Sequence, residues 1–548
     1  METQEIIAES PKGPAHGFGP LQIPLFRDRW IASTVSNLGT WMQDTAGTWL
    51  MTVLSAGSPL LIALMQTAAS LPVLLLGLLA GATADVFERR RLLIFWQSWM
   101  LVTVGLLTVL TFAGVVGPYQ LLVLTFLMNI GAAMNNPAWQ AIVPELVPRE
   151  QIPDAVSLNS VSNNLARALG PALGGLMVAA FVKASTGAGW VFALNSASFA
   201  AVIWVLWRWK RKPLFKSALP AERIAGSVRS GLRYLRFAPE LQASLVRAFL
   251  FTFFVSAVWA LLAAIAAREL KQGAMGYGLL NGALGAGAVV GAVMLPRIRA
   301  RFNADAILRV TSVVYIAILL VLAWVPIPAV AIAVLLVGGF CWTSTMSTLN
   351  TSVQLVSPAW VQARALGAYL TVFQGGLALG SAVWGYVAEH SSVRVAMTAS
   401  AIGLAVTLPF ALRFHILQGK LPDLGPYVWR RPARELVIEP ELEDGPVRIV
   451  IEYFVAPENY AEFTRLIHKM ENVRLRNGAI RWGVFRDAAN PERMEETFVM
   501  ESWLDHLRAR ERMTAADAKV RDRLWELHRG EAPPRVEHQL YVKEVASS

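Results

Sequence analysis

The sequence has one cysteine, Cys341, and few charged residues for its length of 548. A single cysteine excludes an internal disulfide and a zinc site built from several cysteines. Asp, Glu, Lys and Arg make up 16% of the chain, against about 25% in soluble domains. No phosphate-binding loop of the Walker type is present, so ATP hydrolysis has no visible machinery. The N-terminal stretch lacks the apolar core of a cleavable signal peptide, so we expect the first spanning helix to target the protein.

Apolar residues dominate the composition of the chain. The hydrophobic share is 55% and the mean hydropathy is +0.46, which predicts an integral membrane protein embedded in a lipid bilayer. The formal net charge is +11. Basic and acidic residues balance beyond position 445, so the excess belongs to the apolar part of the chain. We therefore expect positive charge at the membrane edges and no nucleic-acid partner.

About twelve segments have the length of roughly 20 residues that a helix needs to span a bilayer. They lie near 30–54, 58–83, 92–115, 119–143, 158–182, 187–208, 241–267, 274–297, 305–326, 328–352, 365–388 and 393–414. Most Arg and Lys residues of the connections follow the even-numbered segments, which marks that side as cytoplasmic. We expect both termini to be cytoplasmic, in the inner membrane of a bacterium.

Two stretches of the first half recur 210 positions later. Gly81, Ala82, Arg89 and Arg91 fall on Gly291, Ala292, Arg299 and Arg301, and ALGPALGG from Ala168 falls on ALGSAVWG from Ala378. Six helices separate the copies, which predicts two parallel repeats related by an axis along the membrane normal. The predicted parts are a cytoplasmic segment 1–26, six-helix halves at 27–208 and 241–415, a basic cytoplasmic linker 209–240, a second linker 416–446 and a soluble domain 447–548.

The stretch GATADVFERRR resembles the signature after the second helix of major facilitator superfamily transporters. Gly81, Asp85, Arg89 and Arg90 match it, and Glu88 stands where the family has a second glycine. The resemblance implies a cytoplasmic gate whose acid meets a helix N-terminus of the other half, where the helix dipole favours a carboxylate. The alternative is a plain topology anchor, which would need the arginines alone.

The direction of transport is suggested by a second motif. GPALGG, with Gly170, Pro171, Gly174 and Gly175, resembles the end of the motif associated with exporters. With LGTWMQDTAGTWL and the appended domain, it resembles the secretion-effector branch, which includes the enterobactin exporter and macrolide efflux proteins. The resemblance implies export of small amphipathic molecules such as drugs or siderophores by alternating access. Uptake by a symporter of the same fold is the alternative, since small residues and a proline also pack helices closely.

Asp44 is the one carboxylate well inside a predicted span; Glu269, Asp305 and Glu389 lie at helix ends. An acid inside a membrane is costly and points to function. Ser33, Asn37, Thr40 and Thr48 share its helix face, so we expect Asp44 to face a polar cavity and to couple transport to the proton gradient, without a cofactor. The alternative is a structural ion pair with Arg167 or Arg247.

The cavity walls are predicted from polar and aromatic residues within spans. These candidates are Gln43, Asn129, Asn164, Arg167, Asn281, Trp342 and Gln374. For any one of them a helix-packing hydrogen bond is an equal alternative. Arg167 stands out, because a buried arginine needs an anionic partner, either an acidic substrate group or Asp44.

Residues from 447 onward have the pattern of a soluble α+β domain. Strands near 447–455, 479–487, 495–503 and 535–543 and helices at 457–475 and 504–528 give a ferredoxin-like β-α-β-β-α-β order. The domain resembles antibiotic-biosynthesis-monooxygenase folds, which implies self-association through the sheet.

A fused haem-degrading or monooxygenase-like enzyme is the alternative reading of this domain, with Trp503 and His506 as remnants of a site. The haem-degrading relatives use an Asn, a Trp and a His, but the first strand has no Asn. The histidines His468, His506, His528 and His538 also lack metal-ligand spacing. We therefore expect no metal site and no enzymatic activity.

Overall fold

A computed structural model describes residues 19–142, 146–148, 151–209, 233–358, 360–413, 416, 423–425, 427, 440–530 and 532–542. Twelve helices of 21 to 31 residues occupy its first part. They are α1 Pro24–Leu54, α2 Pro59–Val86, α3 Arg89–Phe112, α4 Pro118–Ala141, α5 Ile152–Ala179, α6 Ala184–Arg208, α7 Pro239–Ala264, α8 Ala274–Arg299, α9 Ala304–Trp324, α10 Pro328–Val356, α11 Gln362–His390 and α12 Val393–Arg413. The predicted helical membrane architecture is confirmed. Residues 1–18 of the N-terminal segment, the basic linker at 210–232 and most of 416–446 lie outside the described residues.

Among the described residues, nine of these helices are long and apolar enough to cross a membrane: α2 to α4 and α6 to α11. The other three differ in composition or length. Helices α1 and α5 carry polar residues along one face, and the apolar stretch of α12 is the shorter Val393–Pro409. The two polar helices are therefore those expected to line the interior of the bundle rather than to face lipid.

Five of these helices have proline as their first residue: Pro24, Pro59, Pro118, Pro239 and Pro328. The first amide of a helix has no partner within the helix, so a residue without an N–H costs nothing there. The helix starts therefore follow from the sequence locally, independently of how the helices pack.

The two six-helix halves meet mainly along two helix pairs, α5 with α8 and α2 with α11, with smaller contacts between α2 and α7 and between α1 and α8. Small residues make the first contact close. A Cβ atom on Gly175 would lie 2.6 Å from the carbonyl oxygen of Ala274, and one on Gly278 would lie 2.7 Å from that of Pro171. Helices in lipid associate through such backbone approach, because apolar side chains gain little by leaving apolar solvent.

The second pair is joined by a carboxylate at one end. Glu389, in the last turn of α11, accepts hydrogen bonds from the hydroxyl of Ser58 at 2.8 Å and from the backbone N–H of Leu60 at 3.2 Å. Ser58 also caps α2 by accepting from the N–H of Leu61. An acid of the second half thus sits on a helix N-terminus of the first half, where the helix dipole favours negative charge.

The soluble domain follows as β1 Val447–Phe454, α13 Tyr460–Asn477, β2 Arg481–Arg486, β3 Arg493–Met500, α14 Trp503–Glu511, α15 Ala515–Glu526 and β4 Arg535–Leu540. Its sheet has the order β2-β3-β1-β4 with antiparallel neighbours, which is compatible with the predicted ferredoxin-like domain. The one helix predicted at 504–528 is two, because Thr514 starts a new helix by exchanging capping hydrogen bonds with Asp517.

The sheet of this domain buries one face and leaves a polar one outside. Val447, Ile449, Ile451 and Tyr453 are all buried. On the opposite face Arg448 is exposed and binds the hydroxyl of Thr497 at 3.0 Å and the carboxylate of Glu495 at 3.4 Å. A polar outer face of this kind does not require a second copy to cover it.

The domain docks on the second half of the membrane part. Arg233, just before α7, donates to the carbonyl of Gly478 and contacts Glu501 at 3.4 Å. The guanidinium of Arg512 lies 4.6 Å from the ring centroid of Trp360, just before α11. Arg233 lies in the linker that leads into α7 and Trp360 lies between α10 and α11, so both contacts are on the side of the second half.

The Glu389 contact can be tested by removing the carboxylate. We expect Glu389→Ala to weaken the interaction between the two halves by about 1 kcal/mol, a value typical of charged groups at helix termini. That loss raises the population separated at this end by roughly fivefold. Electron paramagnetic resonance distances between spin labels at the exposed positions Val53 and Ser391 measure the separation.

Glu269→Ala is the matched control, because Glu269 binds Arg394 at 3.0 Å within the second half alone. An unchanged distance distribution in Glu389→Ala, or the same shift in Glu269→Ala, would contradict a role for Glu389 in holding the halves together.

Candidate functional site

Asp44 lies near the middle of α1 with an exposed side chain, although its neighbours Gln43 and Thr45 are buried. Two members of its polar face show what that face meets. Asn37 contacts the hydroxyl of Ser162 on α5 at 3.4 Å, and Thr48 lies beside Tyr277 of α8. The polar face of α1 therefore lies along α5 and α8, where the two halves meet.

Tyr277 of α8 is the residue that bridges to α1. Its hydroxyl lies beside the side chain of Thr48 and close enough to Asp44 for the two groups to interact electrostatically. Asn281, one turn further along α8, donates to the same hydroxyl at 3.3 Å, and the Tyr277 ring stacks on Trp49 with centroids 6.0 Å apart. Asp44, Thr48, Tyr277 and Asn281 form a polar cluster between the halves, here called the inter-half cluster.

Sequence reasoning included Asn281 and missed Tyr277. A tyrosine in a Gly- and Ala-rich helix has the appearance of a packing residue. The spacing of four residues from Asn281, which places both on one helix face, was the available signal.

The two arginines considered as partners of Asp44 have other contacts. Arg247 of α7 forms an ion pair with Asp305 of α9, so Asp305 supplies the anionic partner that a buried arginine needs. The guanidinium of Arg167 lies 5.3 Å from the ring centroid of Trp41, in a cation–π arrangement. Since Trp41 precedes Asp44 by three residues on α1, Arg167 approaches the same helix face from α5.

The glycines of the exporter-type motif bring α5 against two helices at once. A Cβ on Gly170 would lie 2.5 Å from the Cβ of Trp41, and one on Gly174 would lie 2.7 Å from the carbonyl of Met42. Gly175 meets α8, as described, and Pro171 is buried. The motif thus sets the positions of α1 and α8, and with them the inter-half cluster.

Gln43 packs between helices of the first half. Its amide oxygen accepts from Asn195 of α6 at 2.7 Å, and its amide nitrogen contacts the sulfur of Met128 of α4 at 3.2 Å. Gln43 is therefore engaged in helix packing, on a side of α1 away from the inter-half cluster.

The other cavity candidates are dispersed. Asn129 and Asn164 donate to carbonyls of their own helices, at 2.9 Å each. Trp342 is buried among aromatic rings that include Trp259 and Phe373, and Gln374 is half-buried on α11. Their roles in binding a substrate remain predictions.

The gate motif is partly described. Asp85 lies in the last turn of α2, but its side chain lies outside the described residues. Glu88, which departs from the family pattern, caps α3 by accepting from the backbone N–H groups of Arg90 and Arg91 at 3.1 and 3.0 Å. Arg90 reaches the carbonyls of Leu206 and Trp207 at 2.9 and 2.6 Å, where a cation suits the C-terminus of α6.

Gly81 and Arg89 complete the motif. A Cβ on Gly81 would meet no atom within 4 Å, and Arg89 is half-buried at the start of α3. Across the described ranges, no group of three or more His, Cys, Asp or Glu side chains is placed to hold a metal ion.

Similar solved structures share the fold of the membrane part. The nucleoside transporter NupG (D323A mutant) matches with a TM-score of 0.59 and 12% identity, over 71% of this chain and 99% of that one. The D-xylose-proton symporter matches with a TM-score of 0.56 and 12% identity, over 71% and 97%.

Similar sequences come from bacterial transporters. The MFS-type transporter YfiS of Bacillus subtilis is 30% identical over 42% of this chain, and the match spans about half (54%) of its own length. The staphyloferrin A transporter of Staphylococcus aureus is 29% identical, with 27% of this chain and 38% of its own length matched. The multidrug efflux pump Tap of Mycolicibacterium fortuitum is 24% identical over 72% of this chain and 94% of its own length.

The family model described as transmembrane secretion effector matches residues 15–546. That range includes the twelve helices and nearly all of the soluble domain. The chain therefore belongs to the transmembrane secretion effector family, within the major facilitator superfamily of multi-pass membrane transporters.

Proposed function

We propose that the protein is a proton-coupled exporter of small amphipathic molecules, such as drugs or siderophores, working by alternating access. The observation that carries this proposal is the position of Asp44, an exposed carboxylate in mid-helix between two halves that must move against each other. An ionisable group inside a membrane is retained for function rather than stability.

The inter-half cluster supports a coupling role for Asp44. A carboxyl group beside a seam between two halves can take up a proton when one side is open and release it when the other side opens. Thr48, Tyr277 and Asn281 add hydrogen-bonding groups from both halves, so rearrangement of the seam changes the surroundings of the carboxyl group. A transporter shifts between states by such differential interactions.

Export is supported by two kinds of observation. The exporter-type glycines of α5 fix α1 and α8 around the inter-half cluster. Tap, named a multidrug efflux pump, matches along 94% of its length, and the enterobactin exporter EntS of Salmonella typhi is 24% identical over 77% of its length. Uptake by a symporter of the same fold is the alternative.

Two gates along α2 and α11 would complete the cycle. Glu389 joins the two helices at the start of α2. Asp85 lies at the other end of α2 and would meet α11 when the protein closes at that end. The Arg-rich turn at Arg89 and Arg90 would face the cytoplasm under the positive-inside rule, with both chain termini on that side of a bacterial inner membrane.

Asp44→Asn should reduce the rate of transport driven by an imposed pH gradient at least about tenfold. The rate of substrate exchange should stay within about twofold of that of the unmodified protein. Exchange needs no net proton release, whereas uphill transport does. Proteoliposomes loaded with ethidium, erythromycin or enterobactin, with and without a pH gradient, measure both rates.

Asp28→Asn is the control for this experiment, because Asp28 lies on the same helix with a half-exposed side chain beside Arg27. Undiminished uphill transport by Asp44→Asn would refute the coupling role. Loss of exchange together with uphill transport would assign Asp44 to substrate binding instead.

The soluble domain should not be an enzyme, and the membrane part should transport without it. A chain ending at Gly419 is expected to retain gradient-driven transport, with lower abundance because the contacts of Arg233 and Trp360 with the domain are lost. The full chain is expected not to degrade haem, followed by its absorbance in the presence of a reductant. Stoichiometric haem loss, or a correctly inserted but inactive truncation, would overturn this division.

A further inference from the structure

The soluble domain has a partly open cavity of about 420 Å³ between its sheet and its helices. This volume is in the range of small-molecule binding sites. The sheet supplies Ile449, Ile451 and Phe498, and the helices supply Trp503 and Trp525. Nothing in the transport proposal uses this space, which lies outside the membrane part.

A buried ion pair fixes one wall of the cavity. Glu496 is fully buried and accepts from both nitrogens of the Arg474 fork, at 3.0 and 3.2 Å. It also accepts from the Trp482 indole at 3.1 Å and the Tyr453 hydroxyl at 3.3 Å. A fully bonded network of this kind holds its members rigidly, so the Arg474 guanidinium, 4.5 Å from the Phe498 ring centroid, is a preformed surface.

Two histidines form an uncharged part of the wall. The Nε2 atoms of His506 and His538 are 3.2 Å apart, so one ring donates to the other. Burial, together with the nearby charges of His538, Arg510 and Arg474, lowers the pKa of His506 to about 3. Burial and Arg510 also lower the pKa of His538. Both rings are therefore neutral at neutral pH, and the Trp503 ring lies 5.1 Å from that of His506.

The charged residues among the described cavity lining are all arginines. They are Arg474, Arg510 and Arg521, and the described lining includes no carboxylate. Glu496 balances Arg474 from behind the wall, and Asp522 pairs with Arg521 at 2.6 Å with its carboxylate half-exposed. The field inside a largely apolar cleft with this lining favours an anion, because low-dielectric walls weaken screening.

We propose that this cavity is a binding site for a small planar aromatic carboxylate. The ring would lie among Phe498, Trp503 and the histidine pair, where offset and edge-to-face contacts between aromatic rings are favourable. The carboxylate would face Arg510, in the last turn of α14. The proposal stands on the cavity itself and does not depend on the direction of transport.

The site adjoins the docking contact with the membrane part. Arg512, two residues after Arg510, donates to the carbonyl of Asn477 at 3.1 Å and stacks on Trp360 before α11. Asn477 also lines the cavity. Direct contacts therefore lead from the cavity through Arg512 and Trp360 to the start of α11, the helix that packs against α2 of the other half.

The test uses the full chain in lipid nanodiscs with 2-naphthoate as the probe and 2-naphthamide as its uncharged analogue. Ala509→Cys places a thiol in the cavity lining, and Ala532→Cys places a second one at an exposed lining position. The native Cys341 is buried in α10. Saturating 2-naphthoate is expected to slow maleimide modification at both new positions at least about fivefold, read by mass spectrometry of each peptide.

Arg510→Gln should raise the 2-naphthoate concentration needed for half-maximal protection at least about tenfold and leave the concentration needed for 2-naphthamide unchanged. Arg508→Gln is the matched control, because Arg508 lies on the same helix outside the cavity lining. Absence of protection at both cysteines, equal protection by the two probes, or equal loss in the two arginine variants would overturn the proposal.

Discussion

The close approach of α5 and α8 is the constraint on which the arrangement of the membrane part depends. Gly175 meets the backbone of Ala274 and Gly278 meets that of Pro171, at distances that any side chain would prevent. Because these two helices belong to different halves, their contact sets how far α1 lies from Tyr277. The polar face that carries Asp44 and the hydroxyl near it are placed by glycines that have no side chain of their own.

The second helix pair is less uniform along its length. Near Glu389 the helices α2 and α11 are joined by hydrogen bonds, and further along a Cβ on Gly77 would lie 3.3 Å from the hydroxyl of Thr371. Beyond that point a Cβ on Gly81 or on Gly367 would meet no atom of the described residues within 4 Å. Among the described residues, the close contacts of the pair therefore lie near Glu389 and Gly77 rather than near Gly81.

The sequence predicts what is local and misses what depends on distant partners. The Gly- and Ala-rich segments at 274–297 and 365–388 are helices α8 and α11, because length and hydropathy are properties of the segment itself. The break between α14 and α15 was also local, in the spacing of Thr514 and Asp517, and was overlooked. Glu389 was placed correctly at a helix end, but its partner Ser58 lies 331 positions away.

In the candidate site, too, local spacing predicts some residues, whereas others depend on how neighbouring helices pack. Asp44 and its polar helix face follow from a spacing within one helix, and the structure places that face along the seam between the halves. Gln43 is adjacent in sequence yet engages Asn195 and Met128 instead. One residue along a helix turns a side chain by about 100°, so only the packing of neighbouring helices decides which of two polar neighbours enters a cavity.

The attachment of the soluble domain to one half has a practical consequence for imaging. Its described contacts include Arg233, in the linker just before α7, and Trp360 of the second half, and its chain also continues from the last helix of that half. A rigid mass outside the bilayer therefore marks one half and leaves the other unmarked. An antibody fragment raised against the polar sheet face around Arg448 would serve as a fiducial for single-particle alignment, and its angle to the bilayer would report the rotation of that half without touching the transport path.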